Sequence, residues 1–113
     1  MIVDEREPAW VAKGDYGAPV QRALLTAGDV WVAADDDALV IVERKTWSDL
    51  LASIGDGRLF HQVGAMVEQS DWSYVVVTEP LEADRDGRVN GTGWRFSAVW
   101  GALLTVQAAG TAA

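Results

Sequence analysis

The chain has 113 residues, half of them apolar, with 17 acidic against 9 basic residues and a net charge of −8. That length suits one domain whose core needs no disulfide or metal staple, and the absence of cysteine excludes thiol catalysis, disulfide redox chemistry and cysteine-ligated zinc. The acidity argues against coating nucleic acid by charge alone, but it leaves open an enzyme whose carboxylates recruit a cationic metal to a phosphate. No apolar run approaches the roughly 18 residues of a membrane helix, and the opening MIVDERE lacks an apolar leader core. The expectation is a cytoplasmic protein with no membrane partner.

Met1 to Val3 is short, apolar and β-branched and ends at Asp4, which predicts a strand. Glu5 to Tyr16 is polar with helical possibilities, stopped by Gly17. Pro19 to Thr26 is ambiguous, because Pro19 could open a helix while Val20 to Leu25 also suits a strand. Gly28-Asp29 is a turn signal. Val30 to Ala34 and Ala38 to Lys45, joined by Asp35-Asp36-Asp37, predict a hairpin. Thr46 can cap a helix through Leu50, Leu51 and Ile54 that ends at Gly55 and Gly57. Leu59 to Glu68 carries its apolar residues at helical spacing. Tyr74 to Thr78 is a continuous apolar run, which predicts a strand buried on both faces. Leu81 to Arg95, with glycines at 87, 91 and 93, predicts a loop, and Ser97 caps a last helix through Val99, Leu103 and Val106. The order is that of an α/β domain with a central mixed sheet.

The charged residues are not spread evenly. Glu43, Arg44 and Lys45 stand side by side at the end of a predicted strand, with Asp49 one turn into the next helix. Side chains alternate along a strand, so Glu43 and Lys45 share a face and Arg44 takes the other. Pairing of the hairpin can bring Asp29 level with Glu43. Two carboxylates and an ammonium on one sheet edge suit phosphodiester hydrolysis. A hard divalent cation, Mg2+ or Mn2+, takes oxygen ligands from one or two carboxylates and keeps several waters. It polarises the phosphoryl oxygen and acidifies water, while a lysine offsets charge in the transition state. Asp4 and Asp49 can add ligands or hydrogen bonds behind them. A bare Asp…Glu-x-Lys pattern also occurs on solvated strand faces, so this short pattern alone does not decide the matter.

The longer string does. Gly28-Asp29, then Glu43-Arg44-Lys45, then Asp49 resembles the nuclease domain of the XPF/Mus-type structure-specific endonucleases, the excision-repair cross-complementation group 4 type. The resemblance extends to Val3-Asp4-Glu5-Arg6-Glu7 and to Asp56-Gly57-Arg58-Leu59 with Gln62, and it covers residues 1 to 80 best. It implies a restriction-endonuclease-like fold, a central mixed β-sheet flanked by helices, forming a single nuclease domain over 1–113. It also implies Mg2+- or Mn2+-dependent endonuclease cutting of branched, flapped or forked DNA, in DNA repair or recombination, by a homodimer. By residue, Asp29 and Glu43 look like metal ligands, Lys45 the charge-stabilising residue, and Asp4 and Asp49 supporting acids. Arg44 would pair with Asp49 or a neighbouring acid, and Arg6, Arg58 and Gln62 would face the substrate or brace the site.

The chain departs from the family pattern in places. The segment before Gly28 is short, Val30 replaces the usual aromatic, and the family's further strand and helix after the Ser97 helix are not reached. No helix-hairpin-helix pattern occurs in these residues, which leaves room for a separate DNA-binding partner protein. The alternative function is a catalytically silent DNA-junction or protein-binding module on the same fold.

Other features have plainer readings. Trp94 and Trp100 suit either core packing or an interface. His61 is structural or at the surface, because the expected metal set is all oxygen. Asp35-Asp36-Asp37 lacks the spacing of a calcium loop and suits a hairpin turn. Asp84 to Arg88 suits a mobile loop whose Arg85 and Arg88, with Arg95, meet a phosphate backbone. Lys13 and Arg22 stand apart from the other cations in the sequence.

Overall fold

The structure, a computed structural model, describes residues 1–80, 82–89 and 92–111. Its element order is β1 (Ile2–Asp4), α1 (Ala9–Ala12), β2 (Gln21–Ala23), β3 (Val30–Ala33), β4 (Leu39–Lys45), α2 (Trp47–Gly55), α3 (Arg58–Gln69), β5 (Trp72–Val77) and α4 (Phe96–Thr111). The strands form one mixed sheet in the order β2-β1-β3-β4-β5. β1 runs parallel to β2 and antiparallel to β3, and β3 pairs antiparallel with β4. The fold is α/β, a mixed five-stranded sheet flanked by helices, of the restriction-endonuclease-like kind that the sequence implies.

The chain divides into two compact units, Met1–Arg44 with Ala65–Val76, and Lys45–Gly64 with Val77 onward. The first unit holds most of the sheet and two apolar clusters. Val3, Val11 and Val30 gather Met1, Ala12, Val20, Val32 and Val42, while Ala27, Ile41 and Met66 gather Trp31, Leu39 and Ala65. The division follows from strand alternation. Val30 and Val42, cross-strand partners, both belong to the first cluster, whereas Trp31 and Ile41, the next pair, belong to the second. The second unit is built around Leu51, Val89 and Val99, with Trp47, Ile54, Trp94 and Leu103 packed against them.

The hairpin forms as expected. Asp37 takes a positive φ of 63°, and the Ala34 and Ala38 main chains bond across the turn. Thr46 caps α2, its hydroxyl accepting from the Asp49 amide at 3.3 Å, and Gly57 makes the turn into α3 at φ +80°.

Several expectations need correction. The helix allowed over Glu5 to Tyr16 shrinks to Ala9–Ala12, because Asp4 and Arg6 hold the preceding residues in a tight turn. β5 begins at Trp72 and is not buried on both faces; Trp72, Tyr74 and Val76 are exposed. It is the last strand in the sheet order, so the apolar run does not mark a central strand. Asp84 to Arg88, expected as a mobile loop, is a hydrogen-bonded turn in which Asp84 Oδ1 accepts from the Asp86 and Arg88 amides. Isolated bridges join Ala83 to Val89 and Arg88 to Arg95, and they seat the Val89 side chain in the second unit's core. Leu81, Asn90 and Gly91 of the expected loop lie outside the described residues. Ser97 is inside α4 and does not cap it; the Arg95 carbonyl accepts from the Ala98 and Val99 amides. Trp94 packs in the core, while Trp100 is exposed and stacks on Phe96 at 6.4 Å. Among the described residues, no helix is long and apolar enough to cross a membrane.

Candidate active site

Main-chain hydrogen bonds tie the end of β1, the start of β3 and β4 together at their acidic residues. The Asp4 amide donates to the Asp29 carbonyl at 2.8 Å, and the Asp29 amide donates to the Val42 carbonyl at 2.8 Å. The β3–β4 ladder ends at Val30–Val42, and just before it Asp29 is held by the main chains of Val42 and Arg44, the two residues that flank Glu43 in β4. Gly28 makes this approach possible. Its φ is +67°, and a Cβ there would stand 2.3 Å from the Ile41 side chain and 3.2 Å from the Val42 carbonyl oxygen. A glycine immediately before Asp29 is therefore a packing requirement as well as a conformational one.

Asp4 is buried and fully engaged. It accepts from the Arg6 amide at 2.8 Å, from Arg6 Nε at 2.9 Å, from Arg6 Nη2 at 2.7 Å and from the Leu25 amide at 3.1 Å. The Arg6 side-chain hydrogen bonds hold its carboxyl far below the usual carboxylate range, overcoming the opposite push of burial. Arg6 also donates to the Leu25 carbonyl at 3.1 Å. This corner fixes the course of the chain from β1 into Glu7.

Asp29 is in the opposite condition. Burial raises its carboxyl pKa, and the nearby Glu7 carboxyl raises it further, while the Arg44 amide, donating to Oδ2 at 2.7 Å, and the Arg44 charge pull it down. Glu7 is itself tied to Arg44, with Nε to Oε2 at 2.7 Å. Arg44 thus serves both acids, Asp29 through its main chain and Glu7 through its side chain. Its guanidinium also lies over the Trp10 ring, 5.3 Å from the centroid. The neighbouring acid expected for Arg44 is Glu7.

Glu7 is the site residue that sequence reasoning missed as a participant. It stood in the quoted Asp4-to-Glu7 string without a role, because its partner Arg44 is 37 positions away. Arg22 was also misjudged as standing apart. Its Nη2 donates to the Glu5 and Glu7 carbonyls at 2.9 and 2.7 Å, so it clamps the same loop.

The remaining predicted residues belong to the second unit. Lys45, the last residue of β4, is buried. Asp49 is exposed in the first turn of α2, where the positive end of the helix dipole favours an acid. Arg58 pairs with Asp56 at 2.6 Å, and both side chains are about half exposed. Gln62 Oε1 is buried and accepts no hydrogen bond within the described structure. Arg85 is exposed in the turn, and Arg88 and Arg95 are bridged across it.

Among the described residues, no group of three or more His, Asp or Glu side chains is gathered to hold a metal alone. The Asp29–Glu7 contact fits a hard divalent ion all the same. Such an ion needs only one or two carboxylates beside its waters, and a half-buried carboxylate with a raised pKa beside a second acid is short of positive charge.

The chain matches solved structures of XPF from Aeropyrum pernix. One has 30% identity and a TM-score of 0.70, covering 97% of this chain and 52% of that one. Another, described as a complex with DNA, has 31% identity and a TM-score of 0.68, covering 94% and 50%. The chain thus spans about half the length of those relatives. No protein of curated function matches it significantly. Residues 3–109 match the ERCC4 domain, and the chain therefore belongs to the ERCC4 domain family.

Proposed function

We propose that the chain is a Mg2+- or Mn2+-dependent endodeoxyribonuclease acting on branched, flapped or forked DNA. Family membership supports a DNA nuclease or repair type of function. The observation that carries the finer reading is the state of Asp29: half-buried, held by the main chains of Val42 and Arg44 that flank Glu43, beside Glu7, and raised in pKa. A carboxylate in that condition gains most from a divalent cation.

In this reading Asp29 and Glu43 hold the cation, and Glu7 stands next to them. The chemistry supplied by such an ion when bound is Lewis acidity toward a phosphodiester. Lys45, buried at the end of β4, offsets charge gathering on the phosphate, and burial strengthens that effect relative to water. Arg44 orients Asp29 and Glu7 together. Asp4 sets the loop that delivers Glu7, and Asp49 supports from α2. Arg6, Arg58 and Gln62 face the substrate or brace the site. Arg85, Arg88 and Arg95 meet the phosphate backbone. A homodimer, and a separate DNA-binding protein, belong to the same proposal.

The test compares wild type with Glu43→Gln on labelled linear, flap, fork and four-way DNA in Mn2+, Mg2+ or EDTA. Metal-dependent cutting reduced roughly 10²-fold or more in the variant, together with weaker Mn2+ binding by electron paramagnetic resonance, is the expected result. DNA binding without cutting on any substrate would instead identify a silent binding module.

A further inference from the structure

The loop from Glu5 to Trp10 carries more than the carboxylate site requires. Trp10 is 60% exposed, although its neighbour Val11 is buried in the core and pinned by the Tyr16 hydroxyl, which donates to the Val11 carbonyl at 2.6 Å. Its ring lies against the Arg44 guanidinium, 5.3 Å from the centroid, and that guanidinium is locked on Glu7 at 2.7 Å. Arg22, exposed on β2, reaches the carbonyls of Glu5 and Glu7. Arg6, with 68% of its side chain exposed, sits on Asp4. In a chain of net charge −8, three arginines are therefore tied to one short segment that ends at an exposed tryptophan, and one of them, Arg44, lies over its ring.

The exposed indole adds little to the fold. It forgoes its burial, while the arginines keep exposed surface beyond the contacts that brace the segment. Together they have the composition of a platform for single-stranded nucleic acid, in which an aromatic face takes a base and cations follow the backbone. Stacking on Arg44 occupies one face of the indole and fixes its orientation, so the exposed remainder is preorganised for a flat partner.

We propose that Trp10 is a stacking subsite for an unpaired nucleobase, with Arg22 and Arg6, held on the same segment, for the adjoining phosphates. This rests on the nuclease reading and deepens it: the substrate presents at least one unstacked base next to the carboxylate site. A blunt duplex, with every base stacked, has nothing to offer the indole.

The experiment uses flap DNA carrying 2-aminopurine in turn at each unpaired position near the junction, held uncut in Ca2+, with blunt duplex as the control. Wild type, Trp10→Phe and Trp10→Ala are compared. Quenching at one position by wild type and Trp10→Phe, lost in Trp10→Ala with about a five-fold or greater loss of flap affinity, is expected. Duplex affinity should stay unchanged. Equal quenching by Trp10→Ala, or equal losses on flap and duplex, would overturn the subsite. Mn2+-dependent cutting by wild type tells whether the nuclease reading survives such a result; a wild type that neither binds nor cuts DNA would overturn both.

Discussion

Asp4 and Asp29 end neighbouring strands and are joined by a main-chain hydrogen bond, yet the fold treats their carboxylates in opposite ways. Asp4 receives donors from Arg6 and Leu25 and is held ionised. Asp29 receives the Arg44 amide, suffers burial, and faces a second acid. The difference lies in hydrogen-bond supply: Asp4, the more deeply buried of the two, has the more donors. A carboxylate given every donor becomes part of the scaffold. A carboxylate given too few remains available for a cation that arrives later.

The contrast is most directly broken at Asp4. Asp4→Ala strands the Arg6 and Leu25 amides, each costing about 1–3 kcal/mol when left unpaired, so a clear loss in urea unfolding is expected. A loss below about 1 kcal/mol would mean that the corner is not a scaffold. Next comes Gly28, which positions Asp29. Gly28→Ala must accept a left-handed φ and a close contact with Ile41, and should lose about 2–4 kcal/mol; thermal melting that matches wild type would refute the close packing.

The smallest effect has the opposite sign. An ordinary aspartate has a pKa of 3.8, and that of Asp29 is raised in the folded chain. Between those values the folded chain keeps a proton that the unfolded chain has lost, so this group's contribution to stability falls as pH rises through that window. Asp29→Asn should therefore raise the neutral-pH Tm by a few degrees in EDTA while abolishing the further rise caused by Mn2+. Asp4 works the other way, with stability present above 3.8 and lost as pH falls below it. A Tm profile in which Asp29→Asn melts below wild type at neutral pH would remove the distinction between the two corners.

Much of this arrangement could be read from the chain. β-branched runs marked β1, β3 and β4, and the three-aspartate turn marked the hairpin. Thr46 announced α2 through its side chain. The parts that could not be read depend on contacts between distant residues. Nothing local to Glu7 points to Arg44, and nothing local to Arg22 points to the carbonyls it clamps. The apolar run of β5 has the same pattern whether a strand is central or last in its sheet, so its exposed Trp72, Tyr74 and Val76 were beyond periodicity. The Asp84 turn was mistaken for a mobile loop because its order comes from one aspartate accepting two amides and from the burial of Val89.

The double service of Arg44 has a consequence for tolerance to substitution. Its bond to Asp29 comes from the peptide nitrogen, which every amino acid except proline possesses. Its bond to Glu7 comes from the guanidinium, which no other residue reproduces in shape. A saturation scan at position 44 should therefore fall into three tiers: arginine, then the other residues that keep Asp29 in place but release Glu7, then proline by itself. The acid on the strand is insured against nearly any coding change at this position, and the acid on the loop is not.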